Sequence, residues 1–344
     1  MIYCKSPLRL SLAGGGTDVE PFSSNFGSYI LNFTIDEFIE GSLKELSSKT
    51  HLTPIKLTVA TSSLFGPQIS KKLRSSFEVS LEQNLIECYG NRIKQPIAIN
   101  LSSPVSPGSG LGASSSMVLT AIHLLKVHLS DPVNPHLLAG EAFELERNRM
   151  HLSGGFQDQF AAAFGGVLFL SRLASEIRVE KLEVQNPFLR SLENSIFLIN
   201  LGISRTGETI IDEQIKNVQN EKLSTISALI KQLAIAKAMK SAIINQDLLE
   251  VARLVQEAWK SKKDFALEIS NDAINTVVKT LIDLGAIGVK VSGAGGGGHL
   301  ICIAPENSAI RAKIIGYLQD FHLDYRTIRI SDEGSSAWTQ KSGN

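Results

Sequence analysis

The chain has 344 residues, 43% of them apolar and 20% charged, an ordinary globular composition long enough for two domains with their own cores. Lys plus Arg and Asp plus Glu number 34 each, so the net charge is zero and there is no general pull toward nucleic acid or an anionic membrane. The three cysteines, Cys4, Cys88 and Cys302, are far apart and in no metal-ligand spacing, which speaks against a disulfide scaffold and a cysteine zinc site. The first residues lack a basic head with a long apolar run, and no apolar stretch reaches membrane-spanning length. The expectation is a cytoplasmic protein.

In chain order, Leu8 to Ala13 reads as a strand, Tyr29 to Ile39 alternates as strands do, and Pro96 to Leu101 is a further strand. Helical patterns follow at Ala113–Leu129, Pro135–Met150 and Phe156–Phe164. Strands are expected at Gly166–Leu170 and Ser195–Leu201, with a division near residue 190 that gives domains 1–190 and 191–344. Beyond it come helical segments at Asp212–Asn245, Asp247–Glu268 and Asp272–Leu284 and strands at Gly288–Val291 and His299–Ala304. A helix at Asn307–Asp320 and a strand at Tyr325–Ile330 finish a chain that reads as α+β in both halves.

Glycine carries most of the chemical information. Gly108, Gly110 and Gly112 alternate between a strand and a helix, followed by Ser114, Ser115 and Ser116. Such a loop lets backbone approach a ligand, and the helix behind it presents unpaired N–H groups and a positive dipole end, which makes a phosphate cradle. No Gly-Lys-Ser/Thr follows, so this is not a Walker A loop and its phosphate-reaching lysine is missing. The run Gly293-Ala294-Gly295 to Gly298 formally matches a dinucleotide fingerprint, but a strand follows where that fold requires a helix. It either brings backbone close to a ligand or another loop, or is a plain hairpin turn. Gly14-Gly15-Gly16-Thr17-Asp18 ends a strand; Thr17 and Asp18 hold sugar hydroxyls or form a local turn.

Two carboxylates stand out. Projected on a helix, Leu138, Ala139, Ala142, Phe143 and Leu145 form one apolar face with Glu146 in its middle. A carboxylate there must bind a cation or sit in a buried salt bridge, for which Arg9 is a candidate. Asp158 follows Gly154-Gly155 at the start of a helical run, either as a first-turn Asp or as the acceptor of a substrate proton. The seven histidines show no metal-binding pairing and read as structural or surface residues.

The stretches Ser6–Asp18, Pro107–Ser115 and Lys290–Gly298, in this order, resemble the GHMP kinase superfamily over essentially the whole chain. Gly154–Gln159, Ala258–Lys263 and Asp332–Trp338 resemble its heptose 7-phosphate kinase branch, with much of the pattern shared by L-fucose kinase domains. The resemblance implies an α+β, two-domain GHMP kinase fold, with an N-terminal ribosomal-protein-S5-like domain and a C-terminal ferredoxin-like α/β sandwich. It implies ATP and Mg²⁺ as cofactors and a sugar or sugar phosphate as substrate, phosphorylated on its anomeric hydroxyl. It assigns Asp158 as catalytic base with Arg9 beside it. Gly108, Ser109, Gly110, Leu111, Gly112, Ala113, Ser114 and Ser115 would hold ATP, and Ser114 and Glu146 the metal. Gly15, Gly16, Thr17, Asp18, Gly293, Ala294 and Gly295 would hold the sugar. Glu146 and Asp158 are one residue further apart than in mevalonate kinase-like sequences. Lys260, Lys262 and Lys263 either bind a substrate phosphate or form an exposed basic face. The rivals are a fucose or other hexose kinase and a regulator that binds sugar and nucleotide without turnover; retention of Asp158 and Glu146 argues against the latter. The oligomeric state is open, a homodimer included.

Overall fold

The computed structural model describes residues 1–47, 53–61, 75–202 and 207–340; His51 lies outside them. In the first part of the chain come β1 (Ile2–Ala13), α1 (Phe22–Phe26), β2 (Ser28–Glu45), β3 (Ile55–Thr61), α2 (Ser76–Tyr89), β4 (Ile97–Ser103), α3 (Ala113–His128), α4 (Pro135–Phe143), α5 (Gln157–Phe164), β5 (Val167–Leu173) and β6 (Glu176–Lys181). The rest holds α6 (Asn186–Ser195), β7 (Ile196–Asn200), α7 (Gly207–Gln219), α8 (Leu223–Ile244), α9 (Leu248–Lys262), α10 (Asp272–Asp283), β8 (Gly288–Val291), β9 (His299–Ile303), α11 (Ser308–Asp320), β10 (Tyr325–Arg326) and β11 (Ser336–Thr339). No helix among the described residues is long and apolar enough to cross a membrane.

The long strand β2 organises the first sheet. Its early residues pair with β5 and its late residues with β4, while β1 runs antiparallel along its other side. A register shift between Pro7 and Leu8 lets β1 follow the bend. Helices from both parts of the chain pack on β1: α3 and α5 from the first, α8 and α9 from the second. β1 is therefore buried on both faces, and its Leu8, Leu10 and Leu12 are fully enclosed.

The second sheet has the order β10-β7-β9-β8, all antiparallel. Its strands alternate in the way a sheet with two covered faces requires. Ile301 and Ile303 join the core shared with the first sheet, while Leu300 and Cys302 join a second core with Ile274, Leu281, Ile314 and Leu318. The ferredoxin-like and α+β expectations hold.

The chain does not finish in this second unit, as a division at residue 190 would have it. The strand expected over Tyr325–Ile330 ends at Arg326, which pairs with Glu37 through Nε (2.6 Å) and Nη2 (2.8 Å). Ile330 then bridges to Ile35, and β11 adds to the edge of β1. Ser335 is the fastener. Its Oγ accepts from Ser6 Oγ (2.9 Å) and shares a hydrogen bond with His123 Nδ1 (2.7 Å), while Thr120 Oγ1 donates to Ser6 Oγ (2.7 Å).

Burial, helped by Lys126, lowers the His123 pKa to about 4. The unfolded chain therefore binds this proton between about pH 6.5 and 4 while the folded chain does not, so stability falls as pH drops through that window. Urea midpoints should show this acid-side slope, and His123→Gln should flatten it; an unchanged slope would clear His123 of the effect.

Candidate active site

The loop between β4 and α3 is built from backbone. Gly108, Gly110 and Gly112 adopt φ of +77°, +76° and +78°, a region other residues rarely enter. Gly112 starts α3 without any side-chain cap, so the helix presents free N–H groups and its positive end. A Cβ on Gly112 would stand 3.3 Å from Arg9 Cγ and 3.5 Å from Asp158 Cγ. The cradle thus abuts the candidate base directly. Ser114 is exposed on the first turn of α3. Leu111 is instead a core residue, and the Ser115 hydroxyl is buried against Gln159 Nε2 (3.3 Å). Neither of these two side chains lines the cavity described below.

Arg9 projects from β1 and holds two things at once. Its Nε and Nη2 approach Asp158 Oδ1 at 2.8 and 2.7 Å, and its Nη1 donates to the Gly110 carbonyl at 2.6 Å. Both contacts to the carboxylate fall on Oδ1; among the described residues no hydrogen bond reaches Oδ2. Arg9 is thus committed to Asp158, and the salt bridge of Glu146 is made with Arg147 instead, at 3.2 Å.

Glu146 is buried, as its place on the apolar face requires, yet it borders the cavity. It accepts from Ser114 Oγ (3.1 Å) and Gln159 Nε2 (2.6 Å). The last turn of its helix, Glu144–Arg149, is a π turn, closed by Met150 N–H on the Leu145 carbonyl at 2.9 Å. A π turn holds one residue more than an α turn. It takes up one residue more than an α turn after Glu146 and still leaves Glu146 in contact with Ser114.

Asp18 accepts from the N–H of Gly16 (3.2 Å) and of Gln157 (3.1 Å), and burial raises its pKa. The glycines around it are needed for close approach: a Cβ on Gly155 would lie 1.9 Å from Asp18 Oδ2. Two more polar groups border the cavity here without a partner among the described residues, Ser11 Oγ and Gln157 Oε1, and neither was picked out by sequence. Thr17 is a correction. Its hydroxyl is fully buried, donates to the Gly14 carbonyl (2.8 Å) and meets Ser28 Oγ (2.9 Å), so it holds the turn and does not face a ligand.

The third glycine cluster is no free hairpin. A Cβ on Gly293 would lie 2.5 Å from Gly110 Cα, and Ser292 Oγ donates to the Gly110 carbonyl at 2.8 Å. His299 N–H donates to the Ser109 carbonyl at 3.0 Å. The loop from the second sheet therefore braces the phosphate loop, while Gly293, Ala294 and Gly295 border the same cavity as Gly15, Gly16 and Asp18.

That cavity is about 930 Å³ and collects every site residue the sequence points to except Thr17, Leu111 and Ser115. It also takes in three lysines, the exposed Lys56 of β3 and the buried pair Lys290 and Lys262. Lys290 Nζ donates to the carbonyls of Ser11 (2.8 Å) and Leu12 (3.1 Å). Lys262 is buried and donates to the Gly293 carbonyl, whereas Lys260 and Lys263 are exposed. Burial, then the charge of Arg9, pulls the Lys262 pKa down to about 7. The exposed-face reading of this basic run therefore fails for Lys262. The signal was available: Lys262 stands four residues from Ala258 and seven from Val255, on the apolar face of α9.

Among the described residues no three His, Cys, Asp or Glu side chains cluster as a metal site. Ser114 Oγ and Glu146 Oε1 lie 3.1 Å apart at the cavity, and a hydroxyl with one carboxylate suits a cation that takes its other ligands from phosphate and water.

Residues 77–166 match the family described as GHMP kinases N terminal domain, and residues 239–314 match GHMP kinases C terminal. The chain is 31% identical to a D-glycero-alpha-D-manno-heptose 7-phosphate kinase of Campylobacter jejuni, over 98% of each chain. It is 24% identical to an L-fucokinase/L-fucose-1-P guanylyltransferase of Bacteroides fragilis, over 92% of this chain and 36% of that one. A crystal structure of a D-glycero-D-manno-heptose 1-phosphate kinase from Bacteroides thetaiotaomicron superposes with a TM-score of 0.77 at 26% identity, covering 99% of this chain and all of that one.

Gly110→Ala would put a Cβ 2.6 Å from the Ser292 carbonyl at a φ of +76°, and should cost about 1–3 kcal/mol in urea unfolding. Gly15→Ala meets only side-chain atoms, the Ser11 hydroxyl at 3.3 Å and the Gln157 amide nitrogen at 3.6 Å, and should cost less. Equal losses would show that the loop contact does not bear on stability.

Proposed function

Because the chain belongs to the GHMP kinase family, we propose that it is a sugar 1-kinase moving the γ-phosphoryl group of ATP onto the anomeric hydroxyl of a heptose 7-phosphate. The products are the 1,7-bisphosphate and ADP. The observation that carries this reading is the Arg9–Asp158 pair set against the uncapped start of α3. It puts a proton acceptor and a phosphate cradle within one van der Waals layer of each other.

Phosphoryl transfer asks a protein mainly for in-line positioning and neutralised charge. The backbone of residues 108–115 holds the phosphates of ATP. Asp158 takes the hydrogen bond of the attacking hydroxyl on Oδ2 and then its proton, while Arg9 keeps Oδ1 occupied and the carboxylate oriented. Asp18, Gln157 and Ser11 receive the other hydroxyls of the sugar. Ser114 and Glu146 would hold Mg²⁺, which neutralises phosphate charge when bound; Glu146 would have to exchange its contact with Arg147. The reaction belongs in the cytoplasm, where ATP is regenerated.

The heptose 7-phosphate assignment draws on the Campylobacter relative, similar over the full length. The fucokinase similarity favours a second reading, a free hexose as acceptor at the same base. Incubation with Mg-ATP and heptose 7-phosphate, L-fucose, D-mannose or D-galactose, followed by ³¹P NMR, separates them. A new anomeric phosphate resonance with heptose 7-phosphate alone is expected; one with a free hexose alone would overturn the substrate and keep the reaction.

Asp158→Asn should lower kcat by about two to four orders of magnitude with ATP still bound. Turnover close to wild type would remove Asp158 as the base. Glu146→Gln should leave the fold intact and raise the Mg²⁺ concentration needed for half-maximal rate; an unchanged requirement would make Glu146 a purely structural partner of Arg147.

A further inference from the structure

Lys262 is a buried ammonium group whose place the mechanism above does not use. It sits in the last turn of α9, 6% exposed, and borders the cavity. Its hydrogen bond goes to a neutral carbonyl, that of Gly293. Burying a cation against a carbonyl and not a carboxylate is costly to the fold. Lys290, its neighbour in charge, is tied to two carbonyls of β1 and joins the two sheets. Lys262 joins nothing comparable.

Its position is informative. Gly293 packs on Gly110, and the Gly110 carbonyl receives Arg9 Nη1. Lys262 and Arg9 therefore stand on the same pair of loops, one reached from α9 and one from β1. Arg9 in turn holds the candidate base. The loop at residues 108–115, Asp158 and both cations border the one cavity in which a phosphoryl group would pass from ATP to the acceptor hydroxyl. The loop itself lacks the lysine that Walker A loops carry for this purpose.

We propose that Lys262 contacts the phosphoryl group in flight, supplying from the second part of the chain the lysine that the phosphate loop lacks. This rests on the kinase reading above. In the step, the bond from the γ-phosphorus to the bridging oxygen of ADP breaks and a bond to the sugar oxygen forms. The hydroxyl proton goes to Asp158. Lys262 donates a hydrogen bond to a non-bridging oxygen and transfers no proton. The charges facing it are Arg9 and Lys290, which oppose its protonation, and Asp18, which favours it. A bound polyanion tips that balance toward the charged form.

The test uses the full chain with Lys262→Met, of similar length and apolar, and Lys262→Gln, polar and uncharged. Magnesium ADP with tetrafluoroaluminate mimics the phosphoryl group in flight and requires no sugar. Wild type should bind it more tightly than ADP alone. Both variants should lose that gain by about 10²-fold, bind ADP alone as wild type does, and lose kcat by a similar factor. Urea stability of Lys262→Met should equal or exceed that of wild type, since a buried charge is gone. A gain kept by the variants, with KM for the sugar phosphate raised, would overturn the proposal and assign Lys262 to the acceptor's own phosphate. A gain kept with no kinetic change would make it a spectator. A chain that folds only with lysine at 262 would make it structural. Wild type that gains nothing over ADP would overturn the kinase reading itself, a result distinct from loss of the lysine's role alone.

Discussion

The guanidinium of Arg9 is the constraint on which the site depends. One side chain fixes the carboxylate of Asp158 and the carbonyl of Gly110 together, and so sets the distance between proton acceptor and phosphate cradle. Its planar fork makes this possible; a lysine ammonium could not hold a carboxylate through two nitrogens while bonding a carbonyl with a third. Arg9 is nearly inaccessible and sits on a strand packed by helices from both parts of the chain, so its backbone cannot drift. The precision of the site is inherited from the burial of β1.

The same logic explains why the two sheets cannot be treated as separate bodies. The core beneath β1 and β2 takes in residues of α8, α9 and β9. The phosphate loop leans on a glycine loop of the second sheet at a separation that admits no side chain at Gly110 or Gly293. A motion that parted the sheets would therefore release the cradle. Glycine here works as an absence of bulk, a property of two loops jointly.

Much of this was legible in the sequence because it is local. The glycine clusters declare themselves by backbone needs that no other residue meets, and Glu146 by standing on an apolar helix face. What was misread or missed depends on contacts distant in sequence. Thr17, a small polar residue after the glycine turn, read equally as a sugar ligand or as part of the turn, and only the Gly14 carbonyl and the distant Ser28 Oγ decide for the turn. Lys262 was hidden by Lys260 and Lys263, whose exposure is the usual fate of such a run. Strands β3, β6 and β11 and helices α1, α2 and α6 went unseen; β6 and β11 are short and only partly buried, and their alternation is correspondingly faint. The π turn has no signature beyond a spacing, and acquires meaning only when Ser114 is placed opposite it.

The strand β11 has a consequence for how the protein is made. It covers an edge of β1 with residues more than 330 positions away in the chain. During synthesis β1, β2 and α3 emerge early, yet that edge stays open until residues 336–339 have left the ribosome. An unpaired edge in a nascent chain is a site for wrong pairing, and contacts this remote are slow to form. The strand that carries Arg9 is thus covered along Ile2–Lys5 by residues made long after it, and its open edge must be kept from wrong partners until they arrive.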